Sequence, residues 1–190
     1  MSRIREIAAS AAANNKKLLI PYVVAGDPDL ATTLALLHQL VADGADIIEL
    51  GIPFSDPSSD GPVIQLGVER ALAGGTTLKD VLELVAKFRE TDTQTPVVLM
   101  GYLNPIERMG YEAFVDGSAA AGVDGVLVVD MPPVEAEGLR DQLQARDIDT
   151  IFLVAPTTTE VRCSQIAASC SGYLYYVSLK GVTGAALLDS

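Results

Sequence analysis

The chain is predicted to be an α/β protein, a (β/α)8 TIM barrel of which roughly the first six β/α units are present. Three observations carry this. Short apolar runs alternate strictly with amphipathic helical stretches, the pattern of a parallel sheet with right-handed crossovers. The short runs are nearly continuous in Val, Ile, Leu and Tyr, as strands buried on both faces are. Finally, ADGADIIEL (Ala42–Leu50) is echoed by AAGVDGVLV (Ala120–Val128). Each is a helix end with a Gly in the cap position, followed by a strand, and Glu49 falls opposite Leu127.

The elements follow in order. Ser2–Ala13 reads as an early helix, followed by a first strand over Leu18–Val24 and a helix over Leu30–Asp43. Asp46–Leu50 is the second strand, followed by two helical stretches, Val63–Ala73 and Leu78–Glu90. Strands at Val97–Tyr102, Gly125–Val129 and Thr150–Val154 precede helices at Tyr111–Ala121, Val134–Ala145 and Glu160–Ser169. Leu174–Val177 is the sixth strand, and a Gly-containing loop follows it. A complete barrel needs eight strands and about 250 residues. Residues 1–190 are therefore expected to form a single barrel domain, incomplete at its C-terminal end; an open six-stranded sheet is the alternative.

Composition narrows the function. The chain has 190 residues, 49% hydrophobic, and a mean hydropathy of +0.31, which excludes disorder. No apolar run reaches the roughly 18 residues of a membrane span, and charges interrupt the N-terminal segment MSRIREIAAS where a signal peptide would be apolar. A soluble, cytoplasmic protein is expected. With 13 basic against 25 acidic side chains and net charge -12, no basic stripe exists for nucleic acid. An anionic substrate must then be held by local donors such as helix N-termini. Cys163 and Cys170 stand two helical turns apart, too far for a disulfide, and read as small apolar residues. His38 is the single histidine, and without a Cys/His cluster no metal site is expected.

Three places are anomalous. Glu49 sits near the C-terminal end of an apolar strand, where burial of an unpaired carboxylate is expensive. In a β/α barrel that end faces the active site, so an acid/base role competes with a structural ion pair. The following loop, Ile52–Pro62, holds Pro53, Pro57 and Pro62 with Asp56 and Asp60. The prolines stiffen it. Asp60 is there either to act in the site or, with Gly61, to cap the next helix. The third place is Tyr175–Ala185, whose Gly181 and Gly184 suit a phosphate loop or a lid, or an ordinary loop.

The segment ELGIPFSDPSSDGPVIQ (Glu49–Gln65) closely resembles the signature of the tryptophan synthase alpha-subunit family. PYVVAGDPD (Pro21–Asp29), MGYLNP (Met100–Pro105), GVDGVLVVDMPP (Gly122–Pro133) and SLKGVTGA (Ser178–Ala185) follow the same family in order, so the resemblance covers essentially the whole chain. It implies a lyase that splits indole-3-glycerol phosphate into indole and glyceraldehyde 3-phosphate by a retro-aldol reaction, in tryptophan biosynthesis. It also implies Glu49 and Asp60 as the catalytic pair, one acid and one anion with pKa values pushed apart.

By the same resemblance Tyr22, Met100, Tyr102, Leu127 and Val129 line the indole pocket, core packing being an equal reading for Leu127 and Val129. Tyr175 lines the pocket and helps position Glu49 or substrate. Thr183 is expected to contact Asp60, and Gly184 to help bind phosphate. No cofactor is implied on this chain. Pyridoxal phosphate would belong to a beta-subunit partner in an α2β2 complex, touched by the loop carrying Pro53, Asp56 and Pro57 and the helix after it. Ser59 departs mildly from the family, where Ala is common. The family's main phosphate donors follow strands seven and eight, so the 190-residue form is expected to be weakly active or inactive. Another sugar-phosphate barrel enzyme and an inactive fragment are the competing readings.

Overall fold

A computed structural model describes residues 2–178. Six strands form one sheet in sequence order, every neighbouring pair parallel: β1 (Tyr22–Val24), β2 (Ile48–Gly51), β3 (Val97–Gly101), β4 (Gly125–Val128), β5 (Asp149–Val154) and β6 (Leu174–Tyr176). The helices are α1 (Arg3–Ala13), α2 (Leu30–Ala42), α3 (Pro62–Ala73), α4 (Leu78–Arg89), α5 (Leu103–Met109), α6 (Tyr111–Ala121), α7 (Glu137–Gln144) and α8 (Glu160–Ser169).

The two faces of the sheet separate cleanly. Ile48, Leu50, Val97, Leu99, Val126, Val128, Phe152 and Val154 pack outward against Leu37, Val85, Phe88, Phe114, Leu139 and Ile166 of the helical layer. The alternate residues Ile47, Val98, Leu127 and Ile151 pack against one another, and Ile4 of α1 joins them. An open doubly wound sheet would carry crossover helices on both faces. Here they lie on one, and the sheet curls around its own inner face as a barrel wall does.

The inner face begins in a row of aspartates at the N-terminal side of the strands. Asp46 accepts from Lys16 Nζ at 2.6 Å and from the Leu19 amide at 2.9 Å. Asp124 accepts from Arg3 at 2.7 Å, Arg89 at 2.6 Å and the Val97 amide at 2.8 Å. Asp149 is bonded by Ser2 and by Arg5, the latter at 3.1 Å. Through Ser2, Arg3 and Arg5 the α1 segment is therefore pinned to strand starts more than a hundred residues away.

The internal echo has a physical basis. Gly44, Gly122 and Asp147 all have positive φ. In each case the next amide closes the helix by a bond to the carbonyl five residues back: Ala45 to Leu40, Val123 to Ser118 and Ile148 to Leu143. This is the Schellman closure, and each is followed one residue later by the aspartate just described. The third copy was not evident in the sequence because Asp147 stands where the other two have Gly.

Most boundaries shift by a residue or two from expectation, and four departures bear on the site or have a clear physical reason. The first strand shortens to Tyr22–Val24, because Pro21 has no amide to give the ladder; the chain before it still accepts Asp46 N and Glu49 N through Leu19 O and Pro21 O. Tyr102 does not end a strand but is the N-cap of α5, a helix not foreseen. Its Pro105 lies in the first turn, where a missing N–H does no harm, and Asp130 accepts the Leu103 amide at 2.8 Å. The helix expected from Val134 begins at Glu137, after a turn in which Glu135 N bonds to Pro132 O. α3 starts one residue earlier, on Pro62, with Gly61 as N-cap and no side-chain cap bond. Asp60 is thus not the helix cap. Among the described residues no helix is long and apolar enough to cross a membrane.

Candidate functional site

Alternation along β2 places Ile47, Glu49 and Gly51 on the inner face. Glu49 is 3% exposed, in register with Tyr22 of β1 and Val98 of β3. Among the described residues its carboxylate accepts one side-chain hydrogen bond, from the Tyr173 hydroxyl at 2.5 Å. Burial raises the Glu49 pKa, and the Tyr173 bond partly offsets the rise. Burial thus makes the Glu49 carboxyl hold a proton more tightly than a free one, and among the described residues no cation pairs with it.

Gly51 explains what lies beside it. A Cβ built there would stand 2.2 Å from the Tyr22 hydroxyl oxygen and 2.7 Å from its ring. The missing side chain is the space Tyr22 occupies. The Tyr22 pKa is raised by burial first, then by Asp60, with smaller contributions from Tyr102, Glu49 and Tyr175. One hydroxyl thus feels both candidate carboxylates.

Asp60 is brought to the same end by the proline loop. Ile52 N bonds to Met100 O at 2.8 Å at the start of that loop. Ser59 N then donates to the Tyr102 hydroxyl at 3.0 Å, and Phe54 lies with its ring 5.7 Å from that of Tyr102. The Asp60 amide closes a turn on Pro57 O. Burial raises the Asp60 pKa, offset by hydrogen bonding with Tyr102. Both carboxylates therefore shift upward, each through burial and not through the other.

The other expected site residues divide. Met100, Val129 and Tyr175 are half-buried on the inner face around Leu127, and the Tyr175 pKa is raised by burial and then by Glu49. Leu127 itself is buried among Ile4, Ile47, Val98 and Ile151, which favours its packing reading. Tyr102 is 4% exposed, and its hydroxyl holds the loop. The tyrosine that touches Glu49 is Tyr173, not Tyr175. It went unnoticed because the strand reading began at Leu174, although Tyr173 and Tyr175 share a face by period two. Of the expected partner loop, Asp56 is exposed and Pro57 half-buried, but Pro53 is buried within the chain and cannot present a surface. Thr183 and Gly184 lie outside the described residues.

Two acid groups and four tyrosines thus meet toward the C-terminal edge of a curled parallel sheet, the position of barrel active sites. A family profile, that of the tryptophan synthase alpha chain, matches residues 8–188. The chain belongs to the tryptophan synthase alpha-chain family. The alpha chain of Neisseria gonorrhoeae is 63% identical over 190 residues, covering 100% of this chain and 72% of that protein. The crystal structure of the Legionella pneumophila alpha subunit superposes with a TM-score of 0.91 at 52% identity, over 95% of this chain and 70% of its own. A chain of the tryptophan synthase a2b2 complex from Pyrococcus furiosus superposes with a TM-score of 0.82 at 44% identity, over 86% of this chain and 66% of its own. Family membership, six parallel strands and helices on one face agree in placing the chain within a TIM barrel.

Proposed function

We propose that Glu49 and Asp60 carry out the lyase reaction of this family, the cleavage of indole-3-glycerol phosphate to indole and glyceraldehyde 3-phosphate. Glu49 gives its proton to C3 of the indole ring and then, as the carboxylate, takes the proton of the side-chain hydroxyl next to C3. The carbon–carbon bond then breaks, its electron pair returning to the ring, and the hydroxyl carbon leaves as the aldehyde. Asp60 accepts a hydrogen bond from the ring N–H and offsets the positive charge that protonation creates. The observation that carries this reading is Glu49, a nearly inaccessible carboxyl whose pKa is raised by burial. Such a group can be an acid near neutrality.

The half-buried Tyr22, Met100, Val129 and Tyr175 would frame the indole, with Leu127 packed beneath them. Thr183 and Gly184 would serve loop closure and phosphate binding. The reaction draws on two carboxyls alone, so no cofactor is assigned to this chain, and pyridoxal phosphate is assigned to a beta partner in an α2β2 assembly. The partner surface is placed at Asp56 and Pro57, with Val63 and Leu66 of α3, which are 70% and 54% exposed beside them. A cytoplasmic location fits the free thiols of Cys163 and Cys170.

The test is indole release from indole-3-glycerol phosphate by the full-length gene product, with and without a tryptophan synthase beta chain. Release stimulated by the beta chain is expected. Glu49→Gln should lower it by at least about 10²–10⁴-fold, and Asp60→Asn by about 10²–10³-fold. No release under either condition would overturn the lyase reading.

A further inference from the structure

The helical layer carries a groove that none of the site residues above enters. It lies between α7 and α8, encloses about 470 Å³, and is lined by Val134, Glu137, Arg140, Arg162, Gln165 and Ile166 among others. That volume is in the range of small-molecule sites. A second hollow of about 270 Å³ shares Arg140 with it and extends it toward Gln144 and Thr150.

The charges in this groove are unusual for the chain. Acidic groups outnumber basic ones 25 to 13, so a guanidinium has carboxylates to choose from. Yet Arg162 forms no ion pair among the described residues, and neither does Glu137. Arg140 reaches only the adjacent Asp141, at 2.9 Å. Two guanidiniums and one carboxylate therefore border a single cavity without neutralising one another. Val134, 77% exposed, and Ile166, 6% exposed, add an apolar lining.

We propose that the α7–α8 groove binds a free α-amino acid with a large apolar side chain. Arg140 and Arg162 take its carboxylate, for which the guanidinium fork is suited. Glu137 takes its ammonium group, and Val134 and Ile166 pack on its side chain. A simple anion would meet Glu137 as a like charge, whereas a zwitterion satisfies both signs. The site stands apart from the lyase reading, and neither depends on the other.

The test is a titration of the chain by 1H–15N chemical shifts and calorimetry with three probes: L-phenylalanine, glycine and 3-phenylpropionate. L-Phenylalanine should bind saturably, with shifts on α7 and α8, and more tightly than the other two. Arg140→Gln and Arg162→Gln, both at the surface, should each weaken it by at least about tenfold. Glu137→Gln should weaken L-phenylalanine but leave or improve 3-phenylpropionate. Absence of saturable binding, or binding that the arginine variants leave unchanged, would overturn the proposal. So would 3-phenylpropionate binding as tightly as L-phenylalanine, which would make the groove a plain anion site.

Discussion

Glu49 illustrates how a functional group is held against the interest of the fold. Its pKa is raised above the ordinary 4.5 by burial, so the folded state binds its proton more tightly than the unfolded chain does. The stability tied to that proton is fully present below pH 4.5 and is lost as pH rises through the folded-state value. Glu49→Gln, which keeps the shape and drops the charge, should therefore raise Tm at pH 7. The gain should fade as the melt is repeated toward pH 4. An equal gain at both pH values would show that the effect is not electrostatic. Gly51 makes a second prediction. Gly51→Ala drives a methyl into Tyr22 and should cost about 1–3 kcal/mol; in a Tyr22→Ala background most of that cost should vanish, as read by urea denaturation.

How far these residues could be read in advance depended on whether the signal was local. Glu49 stood out because a carboxylate interrupts an apolar run. Tyr173 did not, because its partner is 124 residues away and nothing near a tyrosine in sequence tells which carboxylate it will meet. The loop prolines announced rigidity, but they did not reveal that Tyr102 would clamp the loop through Ser59 and so leave the surface.

Among the elements, those with strong periodicity and caps were legible. α4 has Thr77 and Asp80 in a reciprocal capping box, and its apolar stripe buries Val81, Leu84, Val85 and Phe88. α6 and α8 likewise fall at their expected bounds. α5 was hidden by its brevity and by Pro105, a residue that a helix accepts only in its first turn. The repeated helix closures are where backbone conformation tests the reading. Gly122 has φ +82, and a Cβ there would also come within 3.1 Å of Arg89. Gly122→Ala should cost about 1–2 kcal/mol. Asp147 holds the equivalent place at φ +57, so Asp147→Gly should be tolerated, changing stability by less than about 1 kcal/mol. Thermal melts of the two variants side by side decide whether the three closures are equivalent.

The assembled barrel wall has opposite ends with opposite duties. The C-terminal edge gathers carboxyls whose pKa burial raises; the N-terminal edge gathers aspartates matched by arginine, lysine and backbone amides. Asp124 is 4% exposed and Arg89 10%, and Arg89 also donates to Thr95 O and Gly122 O. Removing Asp124 leaves the buried Arg89 only the more distant Asp92, at 3.9 Å, among the described residues. Asp124→Ala should therefore cost about 3–5 kcal/mol, measured by urea denaturation. It should leave the shape of the C-terminal edge intact in any variant that still folds. The fold class itself was legible because alternation of element types is a property of the chain's order. Which face would curl inward was not, since the near-continuous apolar runs suit both faces equally. Only the one-sided helical layer decides it.

The pinning of α1 also sets a timetable. Ser2, Arg3 and Arg5 find their partners at Asp149 and Asp124, so α1 lacks these anchors until β4 and β5 have been translated. At about 5–20 residues per second, it waits roughly 7–27 seconds for them. A nascent chain halted shortly after α6 would present this helix as a loose, protease-sensitive handle. One halted after β5 clears the exit tunnel would have sealed it.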